Sequence, residues 1–354
     1  MYYFTFEKRL HSSFKIRTSI TLTSILTALI IGGIFFLIIG INPIAVYKSV
    51  VTNVFFNTYA WEDLFLKTSP LLLTGISVAL AANLKIWNIG ADGQFYMGTL
   101  GATWVALNYG GALSSTSIIP LMFLAAVLAG SLWALLPALF RAQFGVNEII
   151  TTLLMNYIAI SWVDYLIFGS WRDPKSNNFP VTPEFSESTY LPTLLNSSVH
   201  AGLLVGVVII LLIYFILKKT KLGVQITITG DNPDAGLYSG INIKRLIVII
   251  LVLSGGIAGV AGMLEVTGVQ HRLQQNISLG YGYTGIIIAW LARNHPLGVI
   301  FYAFFMAVVF VGGENLQIVF GLPKAMIDLF QGIILFCVLG MEIFAEYRLK
   351  IKRV

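Results

Sequence analysis

Long apolar runs alternate with short polar breaks along the whole chain. The runs cover about residues 19–41, 68–86, 89–108, 117–140, 148–169, 201–217, 246–267, 279–292, 297–313 and 322–343. A helix needs about 20 apolar residues to cross a bilayer, so the pattern predicts about ten membrane-spanning helices and an all-α, polytopic membrane fold. Reading the short segments near 89–108 and 279–292 as re-entrant hairpins changes that count. The first run is longer than the apolar core of a cleaved leader and ends at Asn42-Pro43 without a small-residue cleavage pattern, which predicts a retained span.

Composition narrows the class. Of 354 residues, 57% are hydrophobic and 11% charged, against about 25% charged in soluble domains. A soluble domain, a disordered chain and a disulfide scaffold are excluded. The net charge of +6 does not indicate a nucleic-acid partner, because the basic residues sit in terminal and loop clusters. The single cysteine, Cys337, lies inside an apolar run and forms no intrachain disulfide. The 33 glycines matter more, since small residues let membrane helices approach closely.

Alternating the spans puts Lys8, Arg9, Lys15, Arg17, Arg141, Lys218, Lys219, Lys221, Lys244, Arg245, Arg293 and the basic tail on one side. Glu62, Asp63, Asp173, Glu184 and Glu187 fall on the other. By the positive-inside rule the first side is cytoplasmic. The reading is one permease domain in a cell membrane, with a cytoplasmic N-terminus at 1–18 and a cytoplasmic tail at 346–354. Residues 42–67 are expected to hold a helix on the outer surface. Residues 170–200, with four prolines, read equally as an irregular cap or as a disordered loop.

Two glycine-broken segments, "NIGADGQFYMGTLGA" (88–102) and "SLGYGYTGIIIAW" (278–290), each follow a span rich in small residues and precede two further spans. One enters from each side. This suggests two inverted half-repeats, 68–170 and 246–345, with the interrupted segments on a transport route; two close-packed helices without a conducting role are the alternative. Backbone groups freed by the breaks need partners. Asn88 and Gln94 can supply them or face a permeating solute.

The inner loop 218–245 carries its own helix signals. Asn232 suits an N-cap, Pro233 the first helical position, Asp234 the positive end and Gly240 the stop. Ala235, Gly236 and Tyr238 then form a small face with one aromatic anchor, suited to a groove in a cytoplasmic partner. A solvated turn is the other reading.

Six ordered strings now carry a resemblance: "WNIGADGQ" (87–94), "FGVNEIITTLLMNYIA" (144–159), "GDNPDAGLYSGI" (230–241), "SGGIAGVAGMLEVTGV" (254–269), "GYGYTGIIIAWLARNHPLGV" (280–299) and "GLPKAMIDLFQGIILF" (321–336). From about residue 68 to 340 the chain resembles permease subunits of ATP-binding cassette importers for nucleosides and simple sugars, most closely the nucleoside branch. Asp92 stands where that family usually has Glu, Gly236 where Ala is usual, and Thr284 where Asp is frequent. The resemblance implies a type II importer permease that pairs with a second, related permease chain. Cytoplasmic ATPases would dock on the 232–240 helix, and an extracytoplasmic lipoprotein would deliver the substrate. ATP and Mg would bind the partner ATPase and no cofactor this chain, which carries no phosphate-binding G-x-x-x-x-G-K-[ST] loop.

Polar residues inside spans are costly and often functional. Asn88, Gln94, Asn156, Tyr281 and Gln331 are the candidate pathway residues, with hydrogen bonds between helices as the alternative. Glu148, at a helix start on the membrane edge, is a candidate contact for the inner-loop helix. An ion-gradient transporter is the competing class, and Asp164 and Asp328 are its available carboxylates. An intramembrane enzyme would need a convergent acid, base or metal set, which the sequence lacks.

Overall fold

A computed structural model describes residues 2–8, 14–194 and 197–353. The expected N-terminal segment 1–18 includes residues 1 and 9–13, and the expected tail includes residue 354; these lie outside the described residues. The helices are α1 (Phe14–Ile38), α2 (Pro43–Phe55), α3 (Thr58–Ala82), α4 (Ala91–Tyr109), α5 (Ser115–Phe144), α6 (Glu148–Phe168), α7 (Gly202–Lys219), α8 (Lys221–Asp231), α9 (Pro233–Tyr238), α10 (Ile243–Glu265), α11 (Tyr281–Leu291), α12 (Pro296–Phe320) and α13 (Lys324–Glu346). Two strands, β1 (Tyr2–Lys8) and β2 (Tyr347–Arg353), pair antiparallel from Tyr2↔Arg353 to Lys8↔Tyr347.

All ten apolar runs are helical, but the count of spans differs. Among the described residues seven helices are long and apolar enough to cross a membrane, or eight with the α1–α2 pair, which bends by 120°. The count of ten is reached only by adding α4 and α11. α4 has 19 residues, among them three Gly, two Thr and one Gln, and is buried along most of its length, so it needs little lipid-facing apolar surface. α11 has 11 residues, about 16 Å at 1.5 Å per residue, or half a hydrocarbon core.

Other boundaries shift for physical reasons. α3 begins at Thr58, ten residues before the apolar run, because Glu62, Asp63 and Lys67 mask its first turns. Within 42–67 a helix forms, α2, with Asn42 Oδ1 accepting the Ile44 N–H at 2.9 Å. The inner loop holds one helix more than expected. α8 contains the β-branched run "ITIT", which reads poorly as helix, yet its Gly230 packs on the backbone of Asn83. The described residues of 170–200 form the irregular cap rather than a disordered loop: Thr182 N–H donates to Leu273 O, Phe185 N–H to His271 O and Leu191 N–H to Thr267 O.

The chain divides into two compact units. The first joins Met1–Trp61 to Val308–Val354. Its core is Phe36, Val46, Leu316, Leu322, Ile327 and Phe330, with the Phe36 and Phe330 rings 4.8 Å apart. The second unit, Glu62–Ala307, is built around α4, with α5 and α10 against it. Glycines set that spacing. A Cβ on Gly98 would lie 2.0 Å from Gly259 O, and one on Gly130 would lie 2.3 Å from Gly255 O. In lipid, such backbone contact replaces the hydrophobic drive that packs soluble helices.

Candidate functional site

Two helix N-termini meet inside the second unit. α4 follows a non-helical stretch, 86–90, and α11 follows the loop after α10. Each buried start exposes amides that have no partner within their own helix, and an apolar interior cannot hydrate them. Side chains from elsewhere satisfy them. Asp92 Oδ1 accepts the Gly282 N–H at 3.0 Å and the Ser278 hydroxyl at 2.7 Å. Ser278 Oγ in turn accepts the N–H groups of Gly280 and Tyr281 at 3.1 and 3.2 Å. The Asp92 carboxyl group also faces the positive end of the α11 dipole. The approach is close enough that a Cβ on Gly282 would sit 2.1 Å from Asp92 N.

Asn156 does the same for α4. Fully buried on α6, its Oδ1 accepts the Gly93 N–H at 2.8 Å, while its amide donates to Ile89 O at 2.9 Å and to the Tyr283 hydroxyl at 3.2 Å. One side chain thereby ties α6, the stretch before α4, α4 itself and α11. Asn88 and Gln94 form a reciprocal amide pair at 2.8 and 3.0 Å, and Asn88 also donates to Ser254 Oγ at 2.8 Å. Ser254 bonds Ser77 at 3.0 Å between hydroxyls, linking α10 to α3.

Near the start of the 86–90 stretch, Glu148 sits one residue after the α6 N-cap, Asn147. Its Oε2 lies 3.2 Å from Arg141 Nε, and its Oε1 accepts the Trp87 N–H at 3.4 Å. These partners join the α5–α6 turn to the start of the interrupted segment; the inner-loop helix is not among them. Trp87 stacks on Trp290 at 5.4 Å, so its ring is engaged by protein.

Where α10 ends, a π-turn at Val266–Gln270 opens into a cavity of about 180 Å³. Its polar lining includes Asp63, Lys67, Glu265, Gln270, Gln274 and Asn276, and Tyr281 also borders it. Glu265 is only 4% exposed. Gln270 donates to its Oε1 at 3.3 Å, and Gln274 donates to Gln270 Oε1 at 3.0 Å.

α9 forms as the sequence predicts. Asn232 Oδ1 accepts the N–H groups of Asp234 and Ala235 at 2.9 and 3.4 Å. Pro233 opens the helix, and Gly240 follows it at φ +74°. Gly236 is buried on Thr229 of α8, Ala235 is half-buried, and Asp234 is exposed. Leu237 and Tyr238 stand out at 61% and 94% exposure.

Of the residues singled out from sequence, Asn88, Gln94, Asn156 and Tyr281 converge around the start of α4. Tyr281 packs on Phe95 with ring centroids 5.8 Å apart. Gln331 belongs to the first unit, where its amide approaches Val309 O at 3.5 Å. Asp164 bonds Gln275, and Asp328 is exposed on α13. Sequence reasoning missed the cross-cap of Asp92 and the link from Glu265 to Gln274. An acid in the first turn of a glycine-broken helix signals the former; nothing local signals the latter. Among the described residues, no group of three or more His, Cys, Asp or Glu could hold a metal ion.

A family described as "Branched-chain amino acid transport system / permease component" matches residues 60–339. The chain is similar to the glucose ABC transporter permease protein TsgB13 of Haloferax volcanii, with 34% identity over 93% of this chain and 88% of that one. It is 28% identical to the guanosine ABC transporter permease protein NupP of Bacillus subtilis, over 89% of this chain and 91% of that one. It is also 28% identical to the nucleoside ABC transporter permease protein NupB of Lactococcus lactis, over 90% and 89% of the two chains.

Proposed function

Because this chain belongs to the branched-chain amino acid transport system / permease component family, a set of multi-pass membrane proteins whose ATPase is a separate subunit, we propose that it imports a nucleoside or a simple sugar. The substrate class rests on the names of its relatives, which divide between glucose and nucleosides. In this reading the chain is a gate without chemistry of its own. It swings between outward and inward openings when ATP closes a pair of cytoplasmic ATPases. An extracytoplasmic lipoprotein hands over the solute, and a second, related permease completes the pathway.

The observation that carries the reading is α9: a short, doubly capped helix with an exposed tip, held between two candidate spans. Leu237 and Tyr238 would fill a groove on the ATPase, and the capped backbone would transmit a push without fraying. A partner shifts a two-state equilibrium only by binding one state better than the other, so the tip contacts must differ between states. Pairing of β1 with β2 sets both chain ends side by side, which supports an even number of crossings and, with the basic clusters, both ends in the cytoplasm. The half-repeats 68–170 and 246–345 would rock about the junction of α4 and α11.

The test is radiolabelled uptake in vesicles holding the assembled importer, with guanosine, D-ribose and D-glucose as solutes. ATP-dependent uptake of at least one is expected, and Tyr238→Ala or Asp234→Lys is expected to leave ATP hydrolysis running while uptake falls. Normal coupled uptake after deletion of 232–240, or uptake driven by an ion gradient without ATP, would overturn the reading.

A further inference from the structure

We infer that the β1–β2 ribbon is an interfacial anchor that lies on anionic lipid headgroups beside the end of α13. Which side of the membrane it lies on rests on the proposed cytoplasmic placement of both chain ends. The contact with lipid rests on the ribbon itself.

Register sorts the residues into two faces. Successive strand positions alternate between faces, and residues directly opposite in an antiparallel pair share one. The pairs Tyr2↔Arg353, Phe4↔Ile351, Phe6↔Leu349 and Lys8↔Tyr347 therefore belong to the first face. Tyr3↔Lys352, Thr5↔Lys350 and Glu7↔Arg348 belong to the second. The first face has Phe and aliphatic positions at its centre and, at each end, a tyrosine opposite a cation. A lipid interface suits that order. The apolar centre enters the boundary between headgroups and acyl chains, while a phenol and a long basic side chain reach the headgroup level.

Stability asks for such a surface. A lone two-stranded ribbon is marginal in water and needs a further strand or a packed helix to cover its apolar face. The contacts of this ribbon with the rest of the chain fall chiefly on α13, of which β2 is the direct continuation. Within the chain, then, the apolar face is offered little cover.

Position and charge name the surface. The candidate span in α13 ends at Met341, and β2 starts at Tyr347. The helix between them adds about 9 Å at 1.5 Å per residue. That is close to the depth of one headgroup layer, so β2 starts at the level of the lipid phosphates. The strands carry Lys8, Arg348, Lys350, Lys352 and Arg353 against Glu7 alone. A basic cluster directly beyond a span is drawn to anionic lipids, and the attraction fades within a Debye length. A zwitterionic surface would leave this excess of cations unmatched.

The test uses the assembled importer with Cys337→Ser and either Phe4→Cys or Thr5→Cys, labelled with a small apolar fluorophore. Each sample is placed in nanodiscs of phosphatidylcholine, alone or mixed with phosphatidylglycerol, that contain a lipid with a quencher high in its acyl chain. Quenching at position 4 is expected to exceed that at position 5 by roughly twofold in the anionic discs. It should fall in phosphatidylcholine alone, and also when Lys8→Gln and Arg353→Gln are added. Equal quenching at the two positions, or equal quenching at position 4 in both lipids, would overturn the anchor. Shielding of position 4 from the lipid quencher and from aqueous iodide alike would place that face on protein, such as the ATPase, and would overturn it too. Reaction of Thr5→Cys with a membrane-impermeant maleimide, compared in inside-out and right-side-out vesicles, judges the cytoplasmic placement separately.

Discussion

The carboxylate of Asp92, in the first turn of α4, accepts the backbone N–H of Gly282, in the first turn of α11, at 3.0 Å. A side chain at the buried start of one helix thus caps the buried start of another. A buried acceptor that serves an orphan amide is worth more than its net hydrogen bond, because removing it strands the donor without water.

Asp92→Ala is therefore expected to destabilise the protein by about 1–3 kcal/mol or more, read as a fall in the midpoint of thermal aggregation in detergent. Asp92→Asn keeps an acceptor oxygen and should fall less. Gly282→Ala should be worse than Asp92→Asn, since its methyl would meet the Asp92 backbone rather than a movable side chain.

Asn156 donates and accepts in three bonds to three other segments. Asn156→Ala should cost about 2–4 kcal/mol as several buried groups lose partners. Asn156→Asp should fail as well, because a carboxylate cannot donate to Ile89 O. Equal melting of wild type and both variants would remove Asn156 from this role.

Arg141 and Glu148 should show coupling in a double-mutant cycle. Glu148→Ala strands a half-exposed guanidinium and frees the Trp87 amide, while Arg141→Ala leaves a carboxylate that is mostly buried. The double variant should be more stable than the sum of the single losses suggests. Strict additivity of thermal midpoints would argue against the pair.

The cap predicts a pH dependence. His200 is 1% exposed, its ring packed on Gly202 and Gly268. Burial, with a smaller effect from the neighbouring His271, lowers its pKa from 6.5 to about 4. His271, stacked on Tyr190 at 3.8 Å, is lowered in the same direction by burial. A histidine kept neutral by folding takes up its proton only in the unfolded chain between these values. Its contribution is complete above pH 6.5 and is lost as pH falls from 6.5 towards 4, by about 3 kcal/mol at most for His200. The thermal midpoint should fall across that window, and His200→Gln should flatten the fall. An identical acid profile in the variant would exclude His200 as its source.

The order of the helices, the membrane class and the α9 signal were set by local chemistry. Apolar length dictates where a chain can be helical in lipid, and the Asn232-Pro233 and Gly240 signals act within a few residues. The glycines of α10 likewise announced close packing. What covers each glycine was not local: Gly98 meets Gly259 from 161 positions away. The sequence marked the breaks at 88–102 and 278–290 but not the partners that make them tolerable. Asn88 and Gln94 answer each other across six residues, whereas Asp92 answers Gly282 across 190. Only the tertiary structure brings such groups together, because a buried amide N–H donates to any acceptor of correct geometry and the chain pattern carries no record of which one arrives. The cavity beside Glu265 is of the same kind: its walls come from α3, the end of α10 and the following loop, and its volume exists only between them.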